Sequence, residues 1–300
     1  MSNKHLLITG GTGFIGKKLT PLLIKQGYDV TVFTRNPKKA SQMFGNKVNT
    51  ISDMSEIRKL PPLEAVINLA GEGILDKRWT EARKQTLLKS RVELTEQLVA
   101  TLVDSDHKPT TFISGSAVGY YGDCGDTPCP VNAPPGKDFA AMLCKQWETA
   151  ANRIKAIGCR LVIVRIGIVL DKNGGAMEKM ILPFKLGLGG KIGSGKQWFP
   201  WIHRTDLCRL ILFLLQDSRC SGPYNATSPT PVTNKEFTEA LGKVLGKPTF
   251  LPMPGFALKL ALGEASQLLL GGQNATPDKA LQDGFKFKYT TIEHCLKDCV

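Results

Sequence analysis

No window of this chain approaches the ~20 consecutive apolar residues that a membrane-spanning helix requires, so a helical membrane protein is excluded and no membrane partner is expected. Its eight cysteines include no CxxC pair, and no histidine completes a zinc-like cluster. No metal site is therefore expected; the thiols read as free, several of them as small core residues of a reducing compartment. A basic leader with a hydrophobic signal region is also missing, because residues 6–8 run straight into a glycine turn, so a cytoplasmic location is expected. The net charge of +13 comes without a long basic run or a stacking motif, which argues against a nucleic-acid partner. It reads instead as a solvated basic surface, part of which can steer an anionic cofactor or substrate. Repeats and low-complexity linkers are absent too. With 42% hydrophobic and 22% charged residues, 300 residues suffice for one large domain or a main domain with an appendage.

What is present is concentrated first in Leu6-Leu7-Ile8-Thr9-Gly10-Gly11-Thr12-Gly13-Phe14-Ile15-Gly16. A short apolar run predicts a buried strand, three glycines at spacing three follow, and residues 17–25 carry Leu19, Leu22 and Leu23 at helical spacing. Strand, glycine turn and helix together are the context in which such glycines bind a dinucleotide. Gly10 permits the tight turn, Gly13 lets backbone approach a pyrophosphate, and Gly16 lets the helix lie near the strand. The free N–H groups of the helix N-terminus face the anion.

The second strand, residues 29–33, ends at Thr34-Arg35-Asn36-Pro37. An NAD site usually carries an acidic residue there for the ribose 2′-hydroxyl. None stands there; Arg35, followed by Lys38 and Lys39, is placed to hold a 2′-phosphate, which argues for NADP(H). Further strands are predicted at residues 47–51, 64–71, 110–114 and 159–165, the second of them a near-continuous apolar run suited to a parallel sheet covered on both faces. Asp53 is placed to face an adenine, and Ser55 to cap a short helix. The Leu69-Ala70-Gly71 strand end should line the cofactor, since ligands lie beyond the carboxyl ends of strands in doubly wound sheets. One long helix is predicted over residues 79–102 and another over 138–157. Strand–helix alternation then stops. Seven glycines between residues 174 and 195 suggest a looping substrate region, ending in Gln197-Trp198-Phe199-Pro200-Trp201-Ile202-His203 and a helix over 205–215. The expected architecture is α/β: a doubly wound parallel sheet over residues 1–170, with a smaller C-terminal substrate region over 171–300 and the chain weaving between them.

The glycine turn, Asn68-Leu69-Ala70-Gly71, Ser114-Gly115-Ser116 and Tyr224-Asn225-Ala226 resemble the extended branch of the short-chain dehydrogenase/reductase superfamily, whose nucleotide-binding part is a Rossmann fold. Asn68 to Glu72, Arg78-Trp79-Thr80, Ser90-Arg91 and the block from Gly187 to His203 narrow the resemblance to an atypical NADP-binding "epimerase family" with old labels as cell-division inhibitor homologues. The resemblance covers essentially the whole chain. It implies NADP(H) contacts from Gly10, Thr12, Gly13, Phe14, Ile15, Arg35, Leu69, Ala70, Arg91 and Val169. It also implies a catalytic serine at Ser116, a small-molecule substrate of nucleotide-linked type and, by analogy with the superfamily, a homodimer through the long helices.

One departure stands out. Active members use a Tyr-x-x-x-Lys helix, and alignment on Glu148 puts Ala140 and Cys144 at those two positions. A phenol near pKa 10 needs a cation beside it to act as a base at neutral pH. Tyr120 or Tyr121, from the loop before that helix, is the substitute proton donor. Two readings follow: an NADP(H)-dependent oxidoreductase or epimerase using Ser116 with Tyr120 or Tyr121, and a cofactor-binding regulator or scaffold without turnover.

Overall fold

The computed structural model describes residues 4–106 and 108–300. Among them, seven strands form one parallel sheet in the order residues 222–226, β6, β5, β4, β1, β2, β3. These are β1 (Lys4–Thr9), β2 (Tyr28–Phe33), β3 (Asn49–Ile51), β4 (Leu63–Asn68), β5 (Thr111–Ala117), β6 (Arg160–Ile166) and the edge strand Gly222–Ala226. The central strands are buried through their middles: Leu6, Leu7 and Ile8 of β1 and Ala65, Val66 and Ile67 of β4 have no exposed surface. Such runs form strands because both faces are covered. Leu6 and Ile8 pack on α1 (Gly16–Lys25) and α7 (Arg204–Gln216); Leu7, on the opposite face, joins Leu98, Leu102 and Phe112.

Between β2 and β3 lies α2 (Pro37–Phe44), begun by an Asn36 cap and a proline in its first turn. The helix expected over residues 79–102 is α3 (Glu81–Leu88) and α4 (Leu94–Val103), joined by a π-helical turn at Lys89–Glu93. That extra residue per turn falls on Ser90 and Arg91, a local distortion that frequently marks functional positions. After β5 comes α5 (Phe139–Asn152), capped by Asp138. The Asp53 carboxylate is committed to capping: it accepts from Ser55 N and Oγ, and these bonds hold it below the usual carboxylate range. Asp53 therefore starts the 3₁₀ turn that Ser55 was expected to cap.

β5 runs to Ala117, so Ser116 lies within the strand, opposite Arg165 of β6, rather than in a loop beyond it. C-terminal to β6, α6 (Ala176–Lys185), α8 (Asn234–Leu245) and the helix Ile292–Cys299 enclose a smaller core around Trp201, Phe237 and Tyr289. The short helix α9 (Gly255–Leu262) lies outside it. No helix among the described residues is long and apolar enough to cross a membrane. No group of three or more His, Cys, Asp or Glu among them could hold a metal.

Candidate functional site

The site is organised where the carboxyl ends of β1 and β4 meet. Gly10 has φ +69°, and a Cβ there would lie 2.7 Å from the Leu69 carbonyl and 2.8 Å from Ala70 N. Only glycine satisfies both demands. Thr9 fixes the two ends: its Oγ1 donates to Asn68 Oδ1 at 2.7 Å and accepts from Ala70 N at 3.1 Å. Asn68 Nδ2 donates to Thr95 Oγ1 on α4, which also accepts from Trp147 Nε1 on α5. One buried chain of hydrogen bonds thus connects the glycine turn to both helices on that face of the sheet.

Gly13 is exposed, with its N–H bonded to Gly10 O, and a Cβ on Gly16 would fall 2.3 Å from the same carbonyl. The glycine at the third position therefore serves to pack α1 on the turn itself. α1 is entered from Ile15 with no side-chain cap and no acidic residue in its first turn; Lys17 N and Lys18 N bond back to Gly13 O and Ile15 O, so no side chain competes with an anion at this end of the helix. Phe14 lies against Gly175, with the Arg204 guanidinium 4.7 Å above its ring. Ile15, Leu69 and Val169 are half-buried at the edge of the main core, and Val169 sits in a short strand paired with Ile202.

Arg35 extends from the end of β2 with 91% of its side chain exposed, 3.2 Å from Glu72. Glu72 also stands 3.7 Å from Arg83, and its backbone carbonyl accepts from Arg91 Nη2 at 2.7 Å. Burial of the Arg91 guanidinium lowers its pKa. The π turn aims Arg91 at this spot, where a side chain on Gly71 would collide with it.

The three candidate catalytic residues sit in the wall beside this cradle. Ser116 is 2% exposed and its Oγ donates to Glu148 Oε1 at 2.7 Å. Arg165 binds both oxygens of Glu148 at 2.9 Å and donates to Tyr121 Oη and Val131 O at the same distance. Burial alone would lower the Arg165 pKa, but Glu148 outweighs it and holds the guanidinium above its usual value. Tyr121 Oη donates to Asn225 Oδ1 at 2.6 Å, and burial raises its pKa. With its proton given to Asn225 and its lone pair facing Arg165, Tyr121 is held as a neutral phenol. Tyr120 differs: it is half-buried, and the Arg165 guanidinium covers its ring face at 3.6 Å.

Next to this wall opens a cavity of about 330 Å³ lined by Trp79, Gly119, Gly122, Asp123, Asp138, Ala140, Lys259, Leu268 and Gln273, among others. Ala140 lines it directly, so the place of the missing tyrosine is open space. Cys144, one turn on, is buried, which raises its thiol to about 12. The far side comes from the C-terminal segment, tied down where Gly272 N donates to Asp123 Oδ1 and Gln273 Nε2 to Gly122 O. His203 is structural: its Nδ1 accepts from Thr205 N at the start of α7, its Nε2 lies 3.2 Å from Asp298, and its ring packs on Tyr289.

Glu148, Arg165 and Asn225 stand in stretches that carry the family resemblance, but no role was read from sequence for the individual side chains. The signal was a carboxylate on the apolar face of α5 and an arginine closing an apolar strand, since buried charges of this kind occur almost only as pairs.

A profile of the NAD dependent epimerase/dehydratase family matches residues 6–226. The chain belongs to that family. Residues 253–299 match a second profile, a domain of unknown function, DUF1731, which includes the segment that closes the cavity. The epimerase family protein YfhF of Bacillus subtilis is 38% identical over 298 residues, covering 99% of this chain and 98% of its own length. The crystal structure of human epimerase family protein SDR39U1 with NADPH superposes with a TM-score of 0.90 at 36% identity over 98% of each chain. A Thermotoga maritima UDP-glucose 4-epimerase, solved with UDP-glucose, shares the fold at TM-score 0.78, with 18% identity, 98% of this chain and 97% of that one covered.

Proposed function

We propose that this epimerase-family chain binds NADP(H) across the β1 and β4 ends and acts as an oxidoreductase on a small polar, nucleotide-linked substrate held in the cavity beside Ala140. The observation that carries this reading is the uncapped, acid-free start of α1 behind the Gly10 turn, with Arg35 exposed at the end of β2 and held only by its ion pair with Glu72. It is supported by the NADPH in the human relative. The turn backbone and the α1 N-terminus would hold the pyrophosphate. Arg35 would take the 2′-phosphate, exchanging Glu72 for it, with Leu69, Ala70, Arg91 and Val169 around the rest of the cofactor. When bound, the nicotinamide supplies a hydride donor or acceptor.

The chain's own residues then have to orient the substrate and move one proton. Ser116, Glu148, Arg165 and Tyr121 form a wall whose donors are spent on one another, on Asn225 and on Val131 O, which makes them positioning groups. Tyr120 is the candidate proton donor: its ring is clamped by Arg165, and its neighbours Gly119 and Gly122 line the cavity.

In binding titrations, Arg35→Ala should weaken NADPH by about 10–100-fold and leave NADH unchanged, since a charge-assisted bond contributes about 1.5–3 kcal/mol. Equal affinity of the unmodified protein for both cofactors would remove the NADP assignment. A hydride-transfer assay over carbonyl compounds and nucleotide sugars tests the rest. Tyr120→Phe should lower turnover by about 100-fold, the usual scale for a lost general acid, with NADPH affinity preserved. Undiminished activity in that variant would exclude Tyr120.

A further inference from the structure

Among the described residues, eleven large apolar side chains are exposed, and eight of them fall within residues 182–260. Leu182 and Leu186 form an i,i+4 pair at the end of α6, exposed by 61% and 65%; Phe256 and Leu260 form another on α9, at 75% and 77%. Residues at this spacing project side by side from one face of a helix. The two segments are laced together by backbone: Gly190 bridges to Phe250 and Ile192 to Met253, while Met253 N donates to Lys191 O and Gly193 N to Met253 O, both at 2.9 Å. Leu188, Phe250, Leu251 and Met253, all exposed, lie on the connecting strip. Exposed apolar pairs flanking a laced, exposed apolar strip point to an interaction site rather than to scattered surface leucines.

Its charge has one sign. Residues 179–205 and 240–263 contain no Asp or Glu, and Lys185, Lys191, Lys247 and Lys259 stand exposed within those two segments. A second copy of the chain is a poor occupant, because a two-fold interface brings the same patch against itself and sets lysine against lysine. None of the eight apolar side chains lines the cavity beside Ala140; the face is made of projecting side chains. Projecting Phe and Leu between lysines match a fluid surface with an apolar interior and anionic headgroups.

We infer that residues 182–193 and 250–260 form a peripheral docking face for an anionic lipid bilayer. Lysines pair with headgroups while Phe256, Leu260, Leu182 and Leu186 enter the acyl boundary. Absence of a membrane-spanning helix does not bear on this mode of attachment, which needs only an exposed amphipathic face. Lys259 belongs both to the face and to the cavity lining, so docking sets the cavity rim at the lipid surface. This inference is independent of the proposed reaction.

The test is co-sedimentation of the full chain with vesicles of phosphatidylcholine containing about one-third phosphatidylglycerol, against phosphatidylcholine alone. The protein should partition onto the anionic vesicles only, and less so at high salt. Phe256→Ser with Leu260→Ser keeps every charge and should weaken binding by about tenfold or more. Lys185→Gln and Lys191→Gln should weaken it by about fivefold each. Met142→Ser, an exposed site elsewhere, should change nothing. Unchanged melting curves and NADPH affinity establish that the variants are folded. No partitioning of the unmodified protein overturns the inference. So does undiminished binding by the serine pair, which would leave only non-specific attraction, and so does a dimer in sedimentation velocity that the serine pair dissolves.

Discussion

Replacing Arg165 with leucine should cost the fold about 3–5 kcal/mol, the usual loss when one partner of a buried ion pair is removed. Glu148 would keep its place, 7% exposed, with only the Ser116 hydroxyl as partner. Tyr121 would lose its cationic donor, and the ring of Tyr120 would lose its clamp. Denaturant titration would read the change as a lower midpoint at unchanged slope. Combining Arg165→Leu with Glu148→Gln should recover part of the loss, because the neutral amide no longer buries an uncompensated charge. A loss under about 1 kcal/mol in the single variant would mean that the pair contributes little to stability. The double variant also separates fold from function. Part of the stability should return, while turnover, on the proposed role of Tyr120 as proton donor, should not.

The second large effect is expected at Gly10. An alanine there meets two penalties of about 1–3 kcal/mol each: a left-handed backbone with a Cβ, and overpacking against a neighbour that cannot swing aside. That neighbour is the Leu69–Ala70 backbone, 2.7–2.8 Å from the added carbon, so the ends of β1 and β4 would have to part. Loss of the Thr9–Ala70 bond would follow, together with the shape of the turn that α1 rests on. Gly10→Ala should therefore lower the melting temperature and abolish NADPH binding together. Gly27→Ala is the control, also at positive φ but with open space around the missing Cβ: it should meet only the first of the two penalties and leave NADPH affinity unchanged. Retention of NADPH affinity within a few-fold in Gly10→Ala would disconnect the turn from the cofactor.

The parallel sheet was legible in the sequence because its central strands are short apolar runs buried on both faces, a pattern that survives without any knowledge of neighbours. The glycine turn was legible for a related reason: its requirements are local. Ser116 illustrates the limit. Its distance past an apolar run suggested a loop, but pairing with β6 extends β5 to Ala117 and directs the hydroxyl to Glu148. The Glu148–Arg165–Tyr121–Asn225 network spans four separate elements, and nothing at helical or strand spacing announces it. The C-terminal region was hardest to read, because tertiary bonds rather than periodicity define it. The Asp206 carboxylate accepts from Lys288 N and Tyr289 N, and Gln197 Nε2 bridges Ile192 O and Leu269 O.

The edge strand Gly222–Ala226 bears on how the protein is made. It pairs in parallel with Val162–Ile166, so the sheet begun by residue 4 is completed only by a strand lying three-quarters of the way along the chain. During synthesis the outer edge of β6, Leu161 to Val164 with all four side chains buried in the finished protein, stays unpaired until that strand leaves the ribosome. Bare apolar edges of this sort are where nascent chains associate wrongly. A pause or truncation between residues 170 and 220 should therefore produce aggregates rather than a small soluble nucleotide-binding domain.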